Sequence, residues 1–556
     1  MRSDVEIARE VTLEPIQDIG RKLGLAPADL LPFGHFKAKL ALEVLNRPRR
    51  RETPSKLVLV SAITPTRAGE GKTTTTIGLG QALSRLGQSV CLALREPSLG
   101  PCMGVKGGAT GGGHSQVLPA DEINLHFTGD FHAITTAHNL LASVLDNHLH
   151  FGNALDIDPQ RVLWRRVIDL NDRSLRNVII GLGGVNQGTP RETGFDITAS
   201  SEIMAMLCLA SGSEDLRQRM DRTLVAFTRE GKPVTAGQLG VTGTMMALLK
   251  DAMQPNLVQT MEGTPVLVHG GPFANIAHGC NSVLATRMAM HLADWAVTEA
   301  GFGFDLGAEK FFDIKCVGAK LDVVAVVLVA TVRALKMHGG VRLAEMGVPN
   351  ADAVRRGLPN LEKHMDNIMH FGKRPVVAIN RFEGDSAEEL AVVSDFCEKR
   401  GVATAISDHF ARGGQGAIEL AERVMEESER DPGPFTPLYG WDEPVEEKVK
   451  AVARKMYGAD DVAFTKKARK DLRDIERLGF GGLPICIAKT QSSLSDDPKL
   501  RGRPSDFEVT VSRVIINSGS GFLVVMTGDI MRMPGLPRKP QAEKMDLVDG
   551  TVVGIG

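Results

Sequence analysis

The chain has 556 residues, enough for roughly three or four domains or for one large domain with additions. Its 65 Lys and Arg nearly balance its 67 Asp and Glu, and the formal net charge of −2 argues against a nucleic-acid coat or a polybasic membrane binder. Hydrophobic residues make up 43% and charged residues 24%, so the composition is globular and disorder as the dominant state is excluded.

Cysteine usage and the N-terminus indicate a cytoplasmic protein. The seven cysteines are scattered and none lies at CxxC spacing, which disfavours a zinc ribbon or an iron–sulfur cluster. An odd number of cysteines suits a reducing compartment, and the opening MRSDVEIAREV is unlike a signal peptide. The most apolar run, VVAVVLVATV at 323–332, is shorter than the ~20 residues that span a bilayer.

Strands alternate with helical patterns along the chain. Short β-branched runs predict strands buried on both faces and therefore a mostly parallel sheet. Residues 386–399 predict a helix with a serine N-cap and an acidic first turn. The alternation indicates an α/β fold with ligands at the carboxyl ends of the strands. The predicted strands are 57–60, 178–180, 266–268, 323–329 and 376–379.

A glycine-rich loop, TPTRAGEGKTT, connects the first of these strands to an amphipathic helix. Loop N–H groups at a helix N-terminus favour a triphosphate over a loop of no special function. Lys72 is expected to reach the β- and γ-phosphates, and the Thr73 hydroxyl to coordinate Mg²⁺. Thr66 stands where the usual first glycine would be. The predicted ATP-binding residues are Thr66, Arg67, Ala68, Gly69, Glu70, Gly71, Lys72 and Thr73.

Further polar residues follow the later strands. Arg95 ends the run after the loop, where it could pair with a transferred phosphoryl group or form a surface pair with its neighbouring glutamate. GVKGGATGGGH, at 104–114, could approach a ligand closely or be a flexible surface loop. Around Asp130, HFTGDFH lacks the spacing of a standard metal site, so its carboxylate could instead orient a reacting amine or carboxylate. Arg333 and Lys336, after the most apolar run, could face a ligand at the carboxyl end of that strand, but on their own they favour a solvated helix face.

Composition shifts suggest three domains. The proline-rich segment DPGPFTPLYGWDEP is interpreted as a linker, and a fresh strand–helix–strand unit begins near Gly372. We predict a P-loop-type, mostly parallel sheet flanked by helices, with two smaller α/β or α+β domains. The nucleotide-binding domain is expected at 1–371, a small α/β domain contributing to a folate site at 372–445, and a C-terminal domain at 446–556.

Several ordered segments resemble the formate–tetrahydrofolate ligase family of the monofunctional bacterial type, over nearly the whole chain. The loop TPTRAGEGKTT resembles the nucleotide loop of that family, and GVKGGATGGGH and VATVRALKMHGG resemble its two signature segments. Further similar segments are REPSLGPCMGVKGG, DEINLHFTGDFHAI, PRETGFDIT, TEAGFGFDLGAEKFFDIKC, KTQSSLSDDP and MTGDIMRMPGLPRKP.

The resemblance implies an ATP-dependent ligase of one-carbon metabolism that makes 10-formyltetrahydrofolate, ADP and phosphate through formyl phosphate. Lys72 and Arg95 match positions that contact the transferred phosphoryl group and formyl phosphate. Asp130 matches an acidic position that orients or deprotonates the amine. The resemblance also implies small-molecule substrates only, Mg²⁺ with ATP, a candidate monovalent cation (K⁺ or NH₄⁺) and a homotetramer.

A folate pocket is the remaining implied site. A flat pterin can be sandwiched by aromatic rings, and the matching positions are Phe302, Phe382 and Phe410. Without the resemblance, each would be read as a core residue. The chain departs from the family pattern at Arg67, Thr110, His114, Phe304, Phe410 and Ser493, and none of these departures removes a charge that the chemistry needs.

Two other functions compete with the ligase. A regulatory or motor ATPase of the nitrogenase-iron-protein-like group shares the Gly-x-Gly-Lys-Thr-Thr core, but such proteins are shorter and leave the folate segments unexplained. A catalytically inactive homologue used as a binding protein is the other alternative. Formate- and folate-dependent ADP release separates these hypotheses.

Overall fold

The computed structural model describes residues 3–49, 53–106, 108–430, 433–528 and 530–555. The protein is a mixed α/β structure with a large, mostly parallel sheet flanked by helices. Gly107 of the glycine segment and residues 431–432 of the interpreted linker lie outside the described residues.

Four of the predicted strands, 57–60, 266–268, 323–329 and 376–379, overlap strands of the main sheet. Seven neighbouring strands, from Pro265–Val268 to Ala403–Ser407, are parallel, and the strands beyond Pro265–Val268 are antiparallel. Strands Gly111–Gly112 and Ser115–Leu118 form a hairpin. This hairpin joins the main sheet because Ser115–Leu118 pairs with Asn256–Thr260. Across the described sheet the order is Leu30–Pro32, Ala38–Leu40, Asn256–Thr260, Pro265–Val268, Val90–Leu94, Trp295–Glu299, Lys56–Ala62, Ala325–Ala330, Pro375–Asn380 and Ala403–Ser407.

Both faces of this sheet are covered by helices. Successive side chains of a strand point to opposite faces, so Leu59 enters one hydrophobic core and Val60 the other. Helix Lys72–Arg85 packs on the Val60 side. Helices Val283–Leu292 and Ala351–His370 pack on the Leu59 side. Burial on both faces explains the continuous apolar runs in the sequence.

The described α-helices are, in chain order, Asp4–Arg9, Ile16–Lys22, Lys72–Arg85, Leu99–Pro101, Ala120–Asn124, Asp130–His150, Glu202–Leu209, Ser213–Asp221, Thr242–Leu248, Val283–Leu292, Val317–Ala319, Val332–His338, Ala351–His370, Ala387–Lys399, His409–Arg412, Ile418–Ser428, Val445–Val452 and Lys466–Arg477. Helix Ala387–Lys399 has the predicted Ser386 cap, whose hydroxyl accepts from the Glu389 N–H. Within the described chain, no helix has the length and apolar character to cross a bilayer.

A second unit with its own core lies between Val90–Leu94 and Asn256–Thr260 in the chain. Helix Asp130–His150 packs there against Glu202–Leu209 and a small sheet. Small sheets outside the main one are Ile157–Val162 with Leu224–Thr228 and Pro233–Thr235; Arg166–Ile168 with Phe195–Ile197; Val178–Ile180 with Arg191–Thr193; and Asp546–Val548 with Thr551–Val553.

The C-terminal part forms a four-stranded sheet of Asp461–Phe464, Glu508–Asn517, Phe522–Thr527 and Ile485–Ala488. Apolar residues on one face of this sheet, such as Ile485 and Leu523, belong to the same core as the Leu59 face of the main sheet, whereas Phe522 and Val524 belong to a separate cluster. Strands Pro375–Asn380 and Ala403–Ser407 likewise continue the main sheet. The division at residues 371 and 445 into three domains stays a prediction.

Two interpretations of the sequence are wrong. The run 178–180 is not a buried parallel strand: it pairs antiparallel with Arg191–Thr193, and Ile179 is 64% exposed. β-branched residues favour any extended segment, so they did not distinguish a hairpin from a core strand. Lys336 is not solvated, because it is buried and lies 3.0 Å from a carboxylate oxygen of Glu389.

The described part of the segment interpreted as a linker, DPGPFTPLYGWDEP, packs against the rest of the protein. Leu438 and Tyr439 are buried. The Leu438 N–H donates to a carboxylate oxygen of Asp313 at 2.9 Å, and the Trp441 indole N–H donates to the Asp313 carbonyl at 2.9 Å. The prolines therefore indicated irregular backbone correctly, but this segment is packed against the protein and is not a loose linker.

A buried histidine makes the second unit sensitive to acid. The ring of His138 stacks on Trp164 at 4.1 Å, and burial lowers the pKa of His138 to about 3. A histidine in the unfolded chain has a pKa of about 6.5. Between that pH and pH 3, the unfolded state therefore binds more protons than the folded state. Stability is therefore lost as the pH falls below the unfolded pKa. Between pH 7.5 and 5 this single group accounts for about 2 kcal/mol of that loss.

We expect His138→Gln to lose about 2 kcal/mol less stability than the wild type between those two pH values. Urea unfolding followed by tryptophan fluorescence at pH 7.5 and 5.0 measures the difference. The control is His35→Gln, because His35 is exposed. Equal acid sensitivity of the wild type and His138→Gln would contradict the assignment.

Candidate functional site

The glycine-rich loop lies at the carboxyl edge of the parallel strands, between Lys56–Ala62 and helix Lys72–Arg85. Gly69 and Gly71 have φ of +80° and +74°, and a Cβ on Gly71 would collide with the Asn380 amide. The left-handed backbone favours glycine at both positions, and close packing requires it at Gly71 as well. The loop ends at the helix N-terminus, whose free N–H groups and positive dipole end attract anions.

Glu70 fixes the shape of this loop from the inside. Its carboxylate accepts a 2.6 Å hydrogen bond from the Thr66 N–H and another from the Thr331 hydroxyl. The Asn380 amide donates to the Glu70 carbonyl at 3.0 Å. The Glu70 side chain is thus buried in the scaffold, while Arg67 and Ala68 are exposed at the tip. The buried Thr66 hydroxyl has no hydrogen-bond partner among the described residues.

Glu299 connects the glycine-rich loop to Arg95. The Thr73 hydroxyl donates to Oε2 of Glu299 at 2.8 Å, and Oε1 of Glu299 lies 3.8 Å from Nη2 of Arg95. Strands Val90–Leu94, Trp295–Glu299 and Lys56–Ala62 are adjacent and parallel, so their carboxyl ends bring the three side chains together. Lys72, the first residue of the following helix, is half-buried.

The Arg95 guanidinium keeps donors that can bind a ligand. Its Nη1 donates to the Pro272 carbonyl at 3.3 Å, and a Cβ on Gly301 would lie 3.1 Å from the same nitrogen. Its Nε is buried and has no hydrogen-bond partner in the described part of the chain. An unpaired buried donor costs about 1–3 kcal/mol, which an oxyanion would offset. The predicted alternative, a surface pair with Glu96, is absent from the described contacts of Arg95.

Asp130 lies in a buried polar cluster. Lys39 Nζ is 2.7 Å from its Oδ1, and the Asn256 amide donates to its Oδ2 at 2.8 Å. Burial raises the pKa of Glu96 well above its ordinary value, and the negative charge of Asp130 raises it further. Burial also raises the pKa of Asp169, which accepts from the Ser98 hydroxyl, to about 6. The loop after Arg95 thus carries the Glu96 carboxyl group and lies beside those of Asp130 and Asp169.

The three predicted folate-binding phenylalanines follow three strands of the same edge. Phe302 follows Trp295–Glu299 and has φ +58°. Phe382 follows Pro375–Asn380, and the Arg333 guanidinium lies 4.6 Å from its ring centroid. Phe410 follows Ala403–Ser407; its residue is 40% exposed, and its ring contacts the glycine hairpin. No described contact joins these three rings to one another.

Sequence reasoning missed Glu299 and Lys39. Glu299 carried a usable signal, because a single charged residue at the end of an apolar strand is the pattern that singled out Arg95. Lys39 carried none: it is one polar residue in the short strand Ala38–Leu40, and only the fold brings it to Asp130.

Comparison with protein families settles the class of protein. The model of the formate–tetrahydrofolate ligase family matches residues 2–556. The chain belongs to this family. It is therefore a ligase, and the reaction of formate–tetrahydrofolate ligases is ATP-dependent joining of formate to tetrahydrofolate. The full-length match favours this reading over the shorter regulatory or motor ATPases.

The departures from the formate–tetrahydrofolate ligase pattern have different surroundings. Phe304 is fully buried, with its ring centroid 6.0 Å from that of Phe371, so the larger side chain fills core volume. Ser493 is buried, and its hydroxyl donates to the Leu500 carbonyl. Arg67 is exposed at the loop tip, and nothing in the structure explains its presence there.

Proposed function

We propose that the protein makes 10-formyltetrahydrofolate, ADP and phosphate in cytoplasmic one-carbon metabolism, through formyl phosphate. A formate oxygen attacks the γ-phosphorus of ATP; the bond from that phosphorus to the β–γ bridging oxygen breaks, and ADP departs with that oxygen. The N10 amine of tetrahydrofolate then attacks the formyl carbon; the C–O bond to phosphate breaks, and the amine loses its proton. Activation is required because oxide is a poor leaving group and phosphate a good one.

The contact of Glu299 with both Thr73 and Arg95 is the observation that carries this proposal. It brings the end of a glycine-rich loop, by a hydrogen bond, and a guanidinium with a free donor, by an ion pair, to the same carboxylate. Joining formate to a γ-phosphate needs cationic groups next to the terminal phosphate, because two anions must approach each other.

The loop is proposed to be of the P-loop type and to bind ATP through residues 66–73. The positive φ of Gly69 and Gly71, the unpartnered Thr66 hydroxyl and the helix N-terminus support this. Mg²⁺ prefers oxygen ligands, and the Thr73 hydroxyl beside the Glu299 carboxylate fits that preference. When bound, Mg²⁺ would neutralise phosphate charge; Thr73 and Glu299 would hold it.

Lys72 and Arg95 are proposed to stabilise the charge of the transferred phosphoryl group and of formyl phosphate. Asp130 is proposed to orient the reacting amine or to accept its proton. Its contacts with Lys39 and Asn256 support orientation, since both carboxylate oxygens are already held. We also propose a homotetramer and a stimulatory monovalent cation, K⁺ or NH₄⁺, by membership of the family.

Tetrahydrofolate is proposed to bind between Phe302, Phe382 and Phe410. Apolar stacking on the pterin would supply the affinity. The stacking of Arg333 on Phe382 supports a fixed ring there, and the exposure of Phe410 leaves ring surface for a ligand.

An omission assay tests the proposed activity. Phosphate and ADP release are measured with ATP, formate and tetrahydrofolate together, and then with each left out in turn. Release that requires all three supports the ligase. Release that ignores formate and folate would support an ATPase, and no release with retained ligand binding would support the inactive binding protein.

Phe410 gives the sharpest test of the folate pocket. We expect Phe410→Ala to raise the tetrahydrofolate KM by the equivalent of about 1–3 kcal/mol, the scale of lost base stacking, while the ATP KM barely changes. Phe410→Trp should be tolerated or tighten folate binding.

Thermal stability measured with both KM values separates stacking from packing. A core phenylalanine would instead lose roughly 3–5 kcal/mol of stability on truncation and would be overpacked by Trp. A large fall in Tm with unchanged folate KM would refute the stacking role.

A further inference from the structure

The N-terminal helix Asp4–Arg9 is attached to the glycine hairpin. Oδ1 of Asp4 accepts a 2.8 Å hydrogen bond from the Gly113 N–H. The Gln116 amide donates both to the Asp4 carbonyl at 2.8 Å and to the Gly113 carbonyl at 2.9 Å. Asp4, more than a hundred positions away in the chain, thus helps to hold the backbone turn at Gly113.

The same turn supports the ring of Phe410. A Cβ on Gly112 would lie 3.0 Å from Cε2 of Phe410, and a Cβ on Gly113 would lie 2.9 Å from its Cγ. The His114 N–H donates to the Phe410 carbonyl at 2.8 Å. The glycine backbone therefore covers one side of the ring, while the residue keeps 40% of its surface exposed.

A turn built from glycines needs outside contacts to hold one conformation. Glycine loses more backbone freedom on ordering than any other residue, and Gly111 and Gly113 both have positive φ. A carboxylate that accepts from a backbone N–H makes a stronger hydrogen bond than a neutral acceptor. Asp4 is itself held, because its helix has a capping box between Ser3 and Glu6 and buries Ile7.

We propose that Asp4 is a positioning residue for tetrahydrofolate binding: it fixes the Gly111–Gly113 turn, and the turn fixes the Phe410 ring. This inference rests on the proposed function, in which Phe410 forms one wall of the folate site. Asp4 touches neither substrate nor reacting atoms in this scheme, and it acts only through Gly113 and Phe410.

The test compares three variants of the full-length enzyme. Asp4→Ala should raise the tetrahydrofolate KM about fivefold, the ratio that corresponds to one lost hydrogen bond, with kcat and the ATP KM unchanged. Asp4→Asn keeps an acceptor oxygen and should recover most of the affinity. Glu10→Gln, at the end of the same helix, removes an equal charge and should behave as the wild type. Calorimetric titration with tetrahydrofolate alone gives the Kd independently of turnover.

A double-mutant cycle with Phe410→Ala decides whether Asp4 acts through the ring. In the Phe410→Ala background, Asp4→Ala should give no further rise in KM, because coupled residues are not additive. Full additivity, or an Asp4→Ala variant whose folate KM and Kd match the wild type, would overturn the inference and leave the Phe410 wall intact. An unchanged KM in Phe410→Ala itself would overturn both. A fall in Tm with equal rises in the folate and ATP KM values would show a merely structural role.

Discussion

Lys72→Ala is expected to abolish turnover while leaving the fold intact. Lys72 follows Gly71 directly and begins the helix whose N-terminus faces the proposed phosphate site. A cation that stabilises charge on a transferred phosphoryl group is worth about 10³- to 10⁵-fold in rate, by analogy with arginine fingers. The measurement is kcat with all three substrates at saturation, with circular dichroism and Tm as checks on folding.

Lys466→Ala is the matched control for this variant. Lys466 is also the first residue of a helix, Lys466–Arg477, but it is exposed and lies in the C-terminal part of the chain. We expect wild-type turnover there. A Lys72→Ala enzyme that keeps most of its kcat would show that the glycine-rich loop has been misassigned.

Arg95→Ala is expected to stop synthesis and to spare ATP binding. The guanidinium contacts Glu299 and Pro272 and keeps a free Nε, so its proposed target is the anionic formyl phosphate rather than adenine or ribose. Arg95→Lys should recover only part of the rate, because a point charge cannot replace a bidentate fork. The loss in kcat should reach the range of about 10³- to 10⁵-fold given by charged groups in phosphoryl transfer.

Binding and turnover have to be measured separately for Arg95. The ATP Kd comes from calorimetry without formate, and kcat from the complete assay. Arg423→Ala removes a guanidinium from an exposed helical ion pair and should change neither quantity. If both Arg95 variants lost nucleotide affinity and turnover to the same extent, the role at formyl phosphate would be wrong.

The sequence predicted the carboxyl edge of the sheet well, because that prediction needs only local patterns. The strand, the glycine-rich loop and the helix after Lys72 are consecutive in the chain, and each has its own signal. The partner of Thr73, in contrast, is Glu299, more than two hundred residues away. Which strands become neighbours depends on the packing of the whole sheet, and no short pattern encodes that.

Burial of charged residues was the other point at which sequence patterns failed. Arg333 and Lys336 lie one helical turn apart, a spacing that favoured a solvated face, but helix Ala387–Lys399 covers Lys336 with Glu389. Lys39 and Asp130 form a similar buried pair from two distant elements. A buried charge needs its partner, and the partner is known only once both elements are packed.

The edge of the main sheet limits where the chain can be cut into fragments. There, Ala325–Ala330 pairs with Pro375–Asn380, which in turn pairs with Ala403–Ser407. A fragment that stopped at residue 371 would lack both strands and leave Ala325–Ala330 as an open edge. That strand has no charged residue and is buried along its whole length in the intact chain. Its unpaired N–H and C=O groups would then be a template for pairing between fragments. Trimming at this apparent boundary would favour insoluble aggregates over an isolated nucleotide-binding unit, so the sheet has to be kept as one piece.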